Sequence, residues 1–162
     1  MPFISICVLS YNRPEQLKEL LESIDFFNNI EIVVSDDCSP KVKEIQKQVL
    51  KYNKHKVKFI TNKKNQGYDK NLNSLVKNCS GEWIIFMGDD DTFVQGALKQ
   101  VSTFLKKNND LCYVLKSHYL LHENGYKEPF RYFPKTCFFE PCESTLVKLF
   151  RRSVYIAGFM IK

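Results

Sequence analysis

Apolar and polar positions along the chain follow two alternating rhythms. Phe3–Leu9 is an almost unbroken apolar run rich in β-branched residues, which predicts a strand buried on both faces. The spacing then turns helical, with Leu17, Leu20, Leu21 and Ile24 on one stripe. Asn12-Arg13-Pro14 opens that helix, and Pro14 falls in the first turn, where its missing N–H costs nothing. Ile30–Val34 predicts a second strand. It ends at Ser35-Asp36-Asp37-Cys38-Ser39-Pro40, where Ser39 can cap and Pro40 can open a helix striped by Val42, Ile45 and Val49.

Val57–Ile60 reads as a third strand and Asn62–Gly67 as a polar loop. Tyr68, Leu72, Leu75 and Val76 fit a third helix closed at Ser80-Gly81. Trp83–Met87 is a fourth strand running straight into Gly88-Asp89-Asp90-Asp91. Val94, Ala97, Leu98, Val101, Phe104 and Leu105 make a strongly amphipathic fourth helix, and Leu111–Leu115 a fifth strand. After Ser117 the rhythm breaks. His118 to Glu140 is aromatic-rich, contains Pro129 and Pro134, and reads as irregular or hairpin structure. Cys142–Phe150 fits a short helix and Val154–Ile161 a last strand. Strands alternating with helices in this way predict an α/β fold, a mostly parallel sheet covered on both faces.

That architecture gives the polar clusters a common address, because open parallel sheets bind ligands at the carboxyl ends of their strands. Those ends carry Ser10-Tyr11-Asn12-Arg13, Asp36-Asp37, Asn65-Gln66-Gly67 and Gly88-Asp89-Asp90-Asp91. Taken singly, most have an ordinary structural reading: Asn12 caps a helix, Asp36-Asp37 makes a turn, Gly67 punctuates a loop. The aspartate triplet resists one. Three adjacent carboxylates after a buried strand repel one another and destabilise the fold unless a cation or donors offset them. Mg²⁺ or Mn²⁺ suits such oxygens and shares its shell with phosphates. Neither GxxxxGK[ST] nor GxGxxG occurs, so the acidic edge favours a diphosphate held through a metal rather than in a glycine-rich cradle.

Composition narrows the class. With 162 residues, 44% hydrophobic and 26% charged, the chain suits one globular domain. No apolar run approaches bilayer length, and the N-terminus lacks a signal-peptide pattern, so the expected compartment is the cytoplasm. Six cysteines without a CxxC pair are expected to be reduced thiols, not a zinc site. The net charge of +6 is uneven, with nine lysines and the single acid Glu44 between Lys41 and Lys64. This stretch suits either a solvated helix face or peripheral association with an anionic membrane surface. No recognition motif accompanies it, so nucleic acid is not expected as a partner.

In order and spacing these clusters resemble family 2 glycosyltransferases of the GT-A type, whose sheet is Rossmann-like. The matching features are Ser10-Tyr11-Asn12-Arg13 after the first strand, Val33-Val34-Ser35-Asp36-Asp37-Cys38-Ser39, Asn65-Gln66-Gly67, and Gly81 to Met87 leading into the aspartates. The resemblance covers roughly residues 2–110 and extends more loosely to the end.

It implies a transferase that moves a sugar from a nucleotide-diphosphate sugar to a saccharide or lipid-linked acceptor hydroxyl. Transfer would be inverting and metal-assisted, in polysaccharide or glycoconjugate synthesis, possible at the inner face of the membrane. Carried over by position, Tyr11, Asn12, Arg13 and Gly67 line the nucleotide pocket. Asp36 or Asp37 accepts a hydrogen bond from base or ribose, Asp89 faces the ribose, and Asp90 with Asp91 beside it binds Mg²⁺ or Mn²⁺.

The acidic motif departs from the family's Asp-x-Asp, whose first position falls on Gly88. Asp89-Asp90-Asp91 restores the pattern one residue later, and the sequence leaves both registers open. Asn71, with Leu72-Asn73, resembles the branch that transfers deoxysugars such as abequose. The resemblance further implies a donor-nucleotide half over 1–117 and the start of an acceptor half over 118–162. It puts the general base beyond Lys162, because Glu140 and Glu143 do not match its context. His118 or His122 could add a metal ligand. Three other readings compete: a binding module with the same pocket, a nucleotidyltransferase, which would want glycine in the Ser10–Pro14 loop, and a receiver domain, whose acidic pair would follow the first strand instead.

Overall fold

The protein is described by a computed structural model covering residues 1–52, 56–131, 133–145 and 159–162. Its elements run β1 (Ile4–Ser10), α1 (Pro14–Ser23), β2 (Ile30–Asp36), α2 (Val42–Leu50), β3 (Val57–Thr61), α3 (Tyr68–Lys77), β4 (Trp83–Gly88) and α4 (Ala97–Lys107). These are followed by β5 (Tyr113–Leu115), β6 (His118–Leu121), β7 (Lys127–Arg131) and β8 (Phe159–Ile161). Six strands form one sheet in the order β3-β2-β1-β4-β8-β5, and β6 and β7 form a separate antiparallel pair. Strands β1 to β4 are mutually parallel, whereas β8 runs antiparallel to both β4 and β5.

The apolar runs of β1 and β2 are buried along their whole length because both faces of the sheet are covered. Alternation within each strand sorts the core into two layers. Ile4, Ile6 and Val8 of β1, Ile32 of β2 and Trp83, Ile85 and Met87 of β4 pack against α1, α2 and α4. Cys7, Leu9, Val33 and Phe86 point the other way, toward Leu75 of α3. At the amino ends of the strands, Glu31 is buried and accepts hydrogen bonds from Ser5 Oγ (2.6 Å), Ser80 N (2.5 Å) and Ser80 Oγ (2.9 Å), with Lys58 Nζ at 3.2 Å. Burial works against its charge, but these partners prevail and hold the carboxyl below its usual range.

The register sets the site. Ser10 lies level with Asp36, Asp36 with Thr61, and Leu9 with Gly88, so the carboxyl ends of the parallel strands finish along one edge.

Several local expectations resolve differently. Helix α2 starts after Lys41 without a side-chain cap, because the Ser39 hydroxyl is bonded to Asp36 instead. Gly81 does not close α3, which ends at Lys77. A Cβ there would sit 2.6 Å from Ser5 N, so glycine is needed where the connection crosses the β1 backbone. Val94 lies outside α4 and is exposed. The segment read as irregular or hairpin forms β6 and β7. Of the short helix expected over 142–150, residues 142–145 are described and 143–145 are helical; 146–150 lie outside the described residues, as does His55. Of the last strand, Phe159–Ile161 is described and paired. Among the described residues no helix is long and apolar enough to cross a membrane.

Candidate functional site

The loop after β1 is built around Asp89. Tyr11 donates its backbone N–H to Asp89 Oδ2 at 3.1 Å, which leaves the Tyr11 ring exposed at the cleft. Asn12 takes a left-handed backbone (φ 60°) and donates its N–H to Ser39 Oγ at 2.8 Å, joining this loop to the end of β2. Asparagine tolerates that conformation better than most residues. The turn delivers Arg13 to the start of α1, where its guanidinium bonds Asp90 and approaches Asp89 Oδ1 at 3.6 Å.

Asp36 and Asp37 differ in what they hold. Asp36 is fully buried and accepts from Ser39 N at 2.9 Å, from the Ser39 hydroxyl and from Thr61 Oγ1 at 3.5 Å. Asp37 clasps the loop before α3: Oδ1 accepts from Asn62 Nδ2 (2.8 Å) and Gln66 N (2.9 Å), and Oδ2 from Gly67 N (2.8 Å). Gly67 sits at φ 81°, which an L side chain rarely adopts, so its role in this loop is conformational. Asn71 is buried one turn into α3. Its Oδ1 accepts from Ser35 Oγ (2.6 Å) and Asn62 Nδ2 (3.0 Å), and its Nδ2 donates to Ser35 O (3.1 Å). Asp36, Asp37 and Asn71 thus organise the edge, while Asp37 and Asn71 also line the cleft.

The aspartates after β4 diverge sharply in environment. Asp89 is buried, and burial raises its carboxyl above the ordinary range against the opposing pull of Tyr11 N–H and Arg13. Asp91 accepts Gly88 N at 2.9 Å and is also raised, chiefly by burial, with Asp90 adding to the rise and Lys116 opposing it. Asp90 keeps 55% of its side chain exposed. A Cβ placed on Gly88 would lie 2.8 Å from Asp90 Oδ1 and 3.1 Å from Asp91 Oδ2, so these two carboxylates converge beside the glycine. Among the described residues no cluster of three or more His, Cys, Asp or Glu forms a closed metal cage. An exposed carboxylate with a second beside it nevertheless fits Mg²⁺ or Mn²⁺, which is commonly held by one or two carboxylates and completes its shell with phosphate and water.

Tyr11, Arg13, Asp37, Asn71 and Asp89 to Asp91 line a cleft of about 1160 Å³ between the sheet edge, the start of α4 and the β6–β7 hairpin, whereas Asn12, Asp36 and Gly67 lie outside its lining. Lys116 lines it at the end of β5, and burial lowers its ammonium below the ordinary lysine range while Asp91 opposes that shift. The sequence reading passed over Lys116; a lysine closing an apolar strand was the available signal. His118 lines the cleft and meets Phe130 in a tilted ring contact at 5.6 Å, whereas His122 pairs with Glu128 at 2.9 Å on the exposed hairpin. Glu140 and Glu143 are exposed and outside the residues lining the cleft.

A mostly parallel sheet flanked by helices, with an acidic carboxyl edge opening on a cleft, is the GT-A class of fold. The chain belongs to glycosyltransferase family 2: the family model "Glycosyl transferase family 2" matches residues 5–157. It is 34% identical over 113 residues to a GalNAc(5)-diNAcBac-PP-undecaprenol β-1,3-glucosyltransferase of Campylobacter jejuni, covering 68% of this chain and 36% of that protein. It is 33% identical to an abequosyltransferase of Salmonella typhimurium, covering 67% and 34%. Among solved structures, S. aureus TarS 1–349 in complex with UDP matches with a TM-score of 0.59 at 31% identity, over 75% of this chain and 35% of that one. A Pyrobaculum calidifontis mannosyltransferase in complex with GDP-Man and Mn²⁺ shares the fold with a TM-score of 0.64 at 18% identity, over 72% and 36%. The chain spans about a third of the length of these relatives.

Proposed function

We propose that this chain binds a nucleotide-diphosphate sugar through a divalent cation and serves transfer of the sugar to a saccharide or lipid-linked acceptor hydroxyl. The observation that carries the reading is the convergence of Asp90 and Asp91 beside Gly88 at the mouth of the cleft, with Arg13 as counter-charge to Asp90 and Lys116 to Asp91. Residues 1–117 form the donor side, and 118–162 begin the acceptor side. The undecaprenol-linked substrate named for the C. jejuni relative supports a lipid-linked acceptor.

In this reading Asp90 and Asp91 hold Mg²⁺ or Mn²⁺, and a bound cation supplies Lewis-acid stabilisation of the charge that grows on the departing diphosphate. The protein does the rest by placement. Asp89 fixes the Tyr11 backbone, so the exposed Tyr11 ring stands where the nucleoside enters. Arg13 turns from Asp90 toward the phosphates while staying near Asp89. Asp37, which lines the cleft, holds the Gln66–Gly67 turn at the start of α3. Thermal unfolding with UDP, GDP, dTDP and CDP, each with Mn²⁺ and with EDTA, tests this directly. One nucleotide should raise the midpoint only with metal, by a margin that grows with ligand concentration. Equal shifts with metal and with EDTA would overturn the reading.

A further inference from the structure

Opposite the donor edge in function but linked to it through α3 lies a pair of thiols that the transfer chemistry does not use. Cys7 of β1 is fully buried in the smaller core layer, and Cys79, just beyond α3, is half-buried against it. Their sulfurs lie 2.7 Å apart although 72 residues separate them in sequence. Cys79 also reaches Leu75 O at 3.3 Å, so its sulfur is held at the helix end rather than swinging free. Cys38, Cys112, Cys137 and Cys142 are all exposed and lack this setting.

We propose that Cys7 and Cys79 are a reversible redox site, oxidised by a small disulfide such as glutathione disulfide to a bond that fastens β1 to the C-terminal end of α3. Closing the bond requires the sulfurs to move from 2.7 Å to about 2.0 Å, well within side-chain adjustment. Cys79 is the entry point because solvent reaches it. The hydrogen bond from Cys7 stabilises its thiolate, while the same contact and burial keep Cys7 protonated. The Cys79 thiolate attacks one sulfur of the co-reactant, forming a mixed disulfide and expelling one thiolate. Cys7 then gives up its proton and attacks Cys79 Sγ, expelling the second. Two electrons pass from the protein thiols to the co-reactant, which leaves as two thiols carrying the two protons. Since α3 begins at the Gly67 turn, the staple restrains the helix that frames the donor side of the cleft.

The test is oxidation of the folded chain with glutathione disulfide, followed by alkylation and peptide mapping under non-reducing conditions. The expected product is a linked pair of the Cys7 and Cys79 peptides, lighter by two hydrogens and separated again by dithiothreitol. It should be accompanied by a rise in unfolding midpoint of roughly 5–10 °C from closing a long loop. Cys79→Ser, at the half-exposed partner, should fold and lose both the link and the shift. Cys7→Ala should leave Cys79 trapped as the glutathione mixed disulfide. Mapping that finds Cys7 free while Cys79 carries glutathione, or a link that forms only in denaturant, would overturn the proposal.

Discussion

Asp89 and Asp90 adjoin in sequence yet face opposite physical situations, which separates their expected effects. Asp89 has a carboxyl raised by burial, so the folded state holds its proton more tightly than the unfolded chain. Its stabilising share is complete below the ordinary aspartate range and is lost as pH rises through the raised value. At pH 7 the charged form is therefore a burden on the ligand-free fold. Asp89→Asn keeps an acceptor for Tyr11 N–H and should raise the midpoint at pH 7 by about 2–4 °C per kcal/mol relieved, a gain that shrinks as pH falls through the raised value and is gone below the ordinary aspartate range. Differential scanning calorimetry across pH checks this, and a midpoint that drops at pH 7 would contradict it. Asp90→Asn removes a half-exposed charge at the proposed metal position. Its loss should weaken metal-dependent nucleotide binding by more than the roughly 10–100-fold typical of a supporting residue. Isothermal titration with nucleotide and Mn²⁺ checks this, and Asp110→Asn, on an exposed turn beyond α4, should change nothing in the same titration. The crowding of charge at this scale was legible because repulsion is a property of the triplet itself. The separate tasks of Asp36 and Asp37 were not, since they depend on partners such as Asn62 and Gly67 brought in by folding.

At the level of elements, the long apolar strands and striped helices declared themselves, and β1 to β4 with α1 to α4 stand close to where periodicity put them. Helix starts were harder. Ser39 looks like a cap in sequence, but its hydroxyl serves Asp36 and receives Asn12 N–H, so a tertiary demand overrides a local preference. Gly81 looks like a helix stop and is instead a close crossing over β1. The clasp at Asp37 gives the element-scale prediction. Asp37→Ala strips the acceptor from Asn62, Gln66 and Gly67, though water reaches the two exposed backbone donors. The expected cost is about 1–3 kcal/mol in urea unfolding, together with weaker nucleotide binding as the loop before α3 loosens. Weaker binding at unchanged stability would mean that Asp37 acts on the ligand itself and not through the loop.

For the whole molecule, the decisive feature is a strand drawn from the far end of the chain. Phe159–Ile161 inserts between β4 and β5, so the sheet is continuous only when the last residues described are in place. The sequence marks that segment as a strand but carries no sign of its neighbours, because pairing across such a separation is decided by packing rather than local pattern. Met160 is buried at 1% exposure and packs in the larger core layer, while Phe159 meets Phe86 at 5.1 Å and Tyr113 at 5.9 Å on the other side. Lys162 adds an ion pair to Glu82 at 3.1 Å and a hydrogen bond to Asn109 O at 2.6 Å. Met160→Ala therefore removes a side chain wedged between two parts of one sheet and should lower unfolding free energy by about 2–5 kcal/mol. If β8 couples the parallel strands to β5, urea unfolding of this variant stays a single transition, with fluorescence of the lone tryptophan, Trp83 of β4, and far-ultraviolet circular dichroism moving together. Two separated transitions would show instead that β8 and β5 form an independent flap whose loss leaves the nucleotide edge intact.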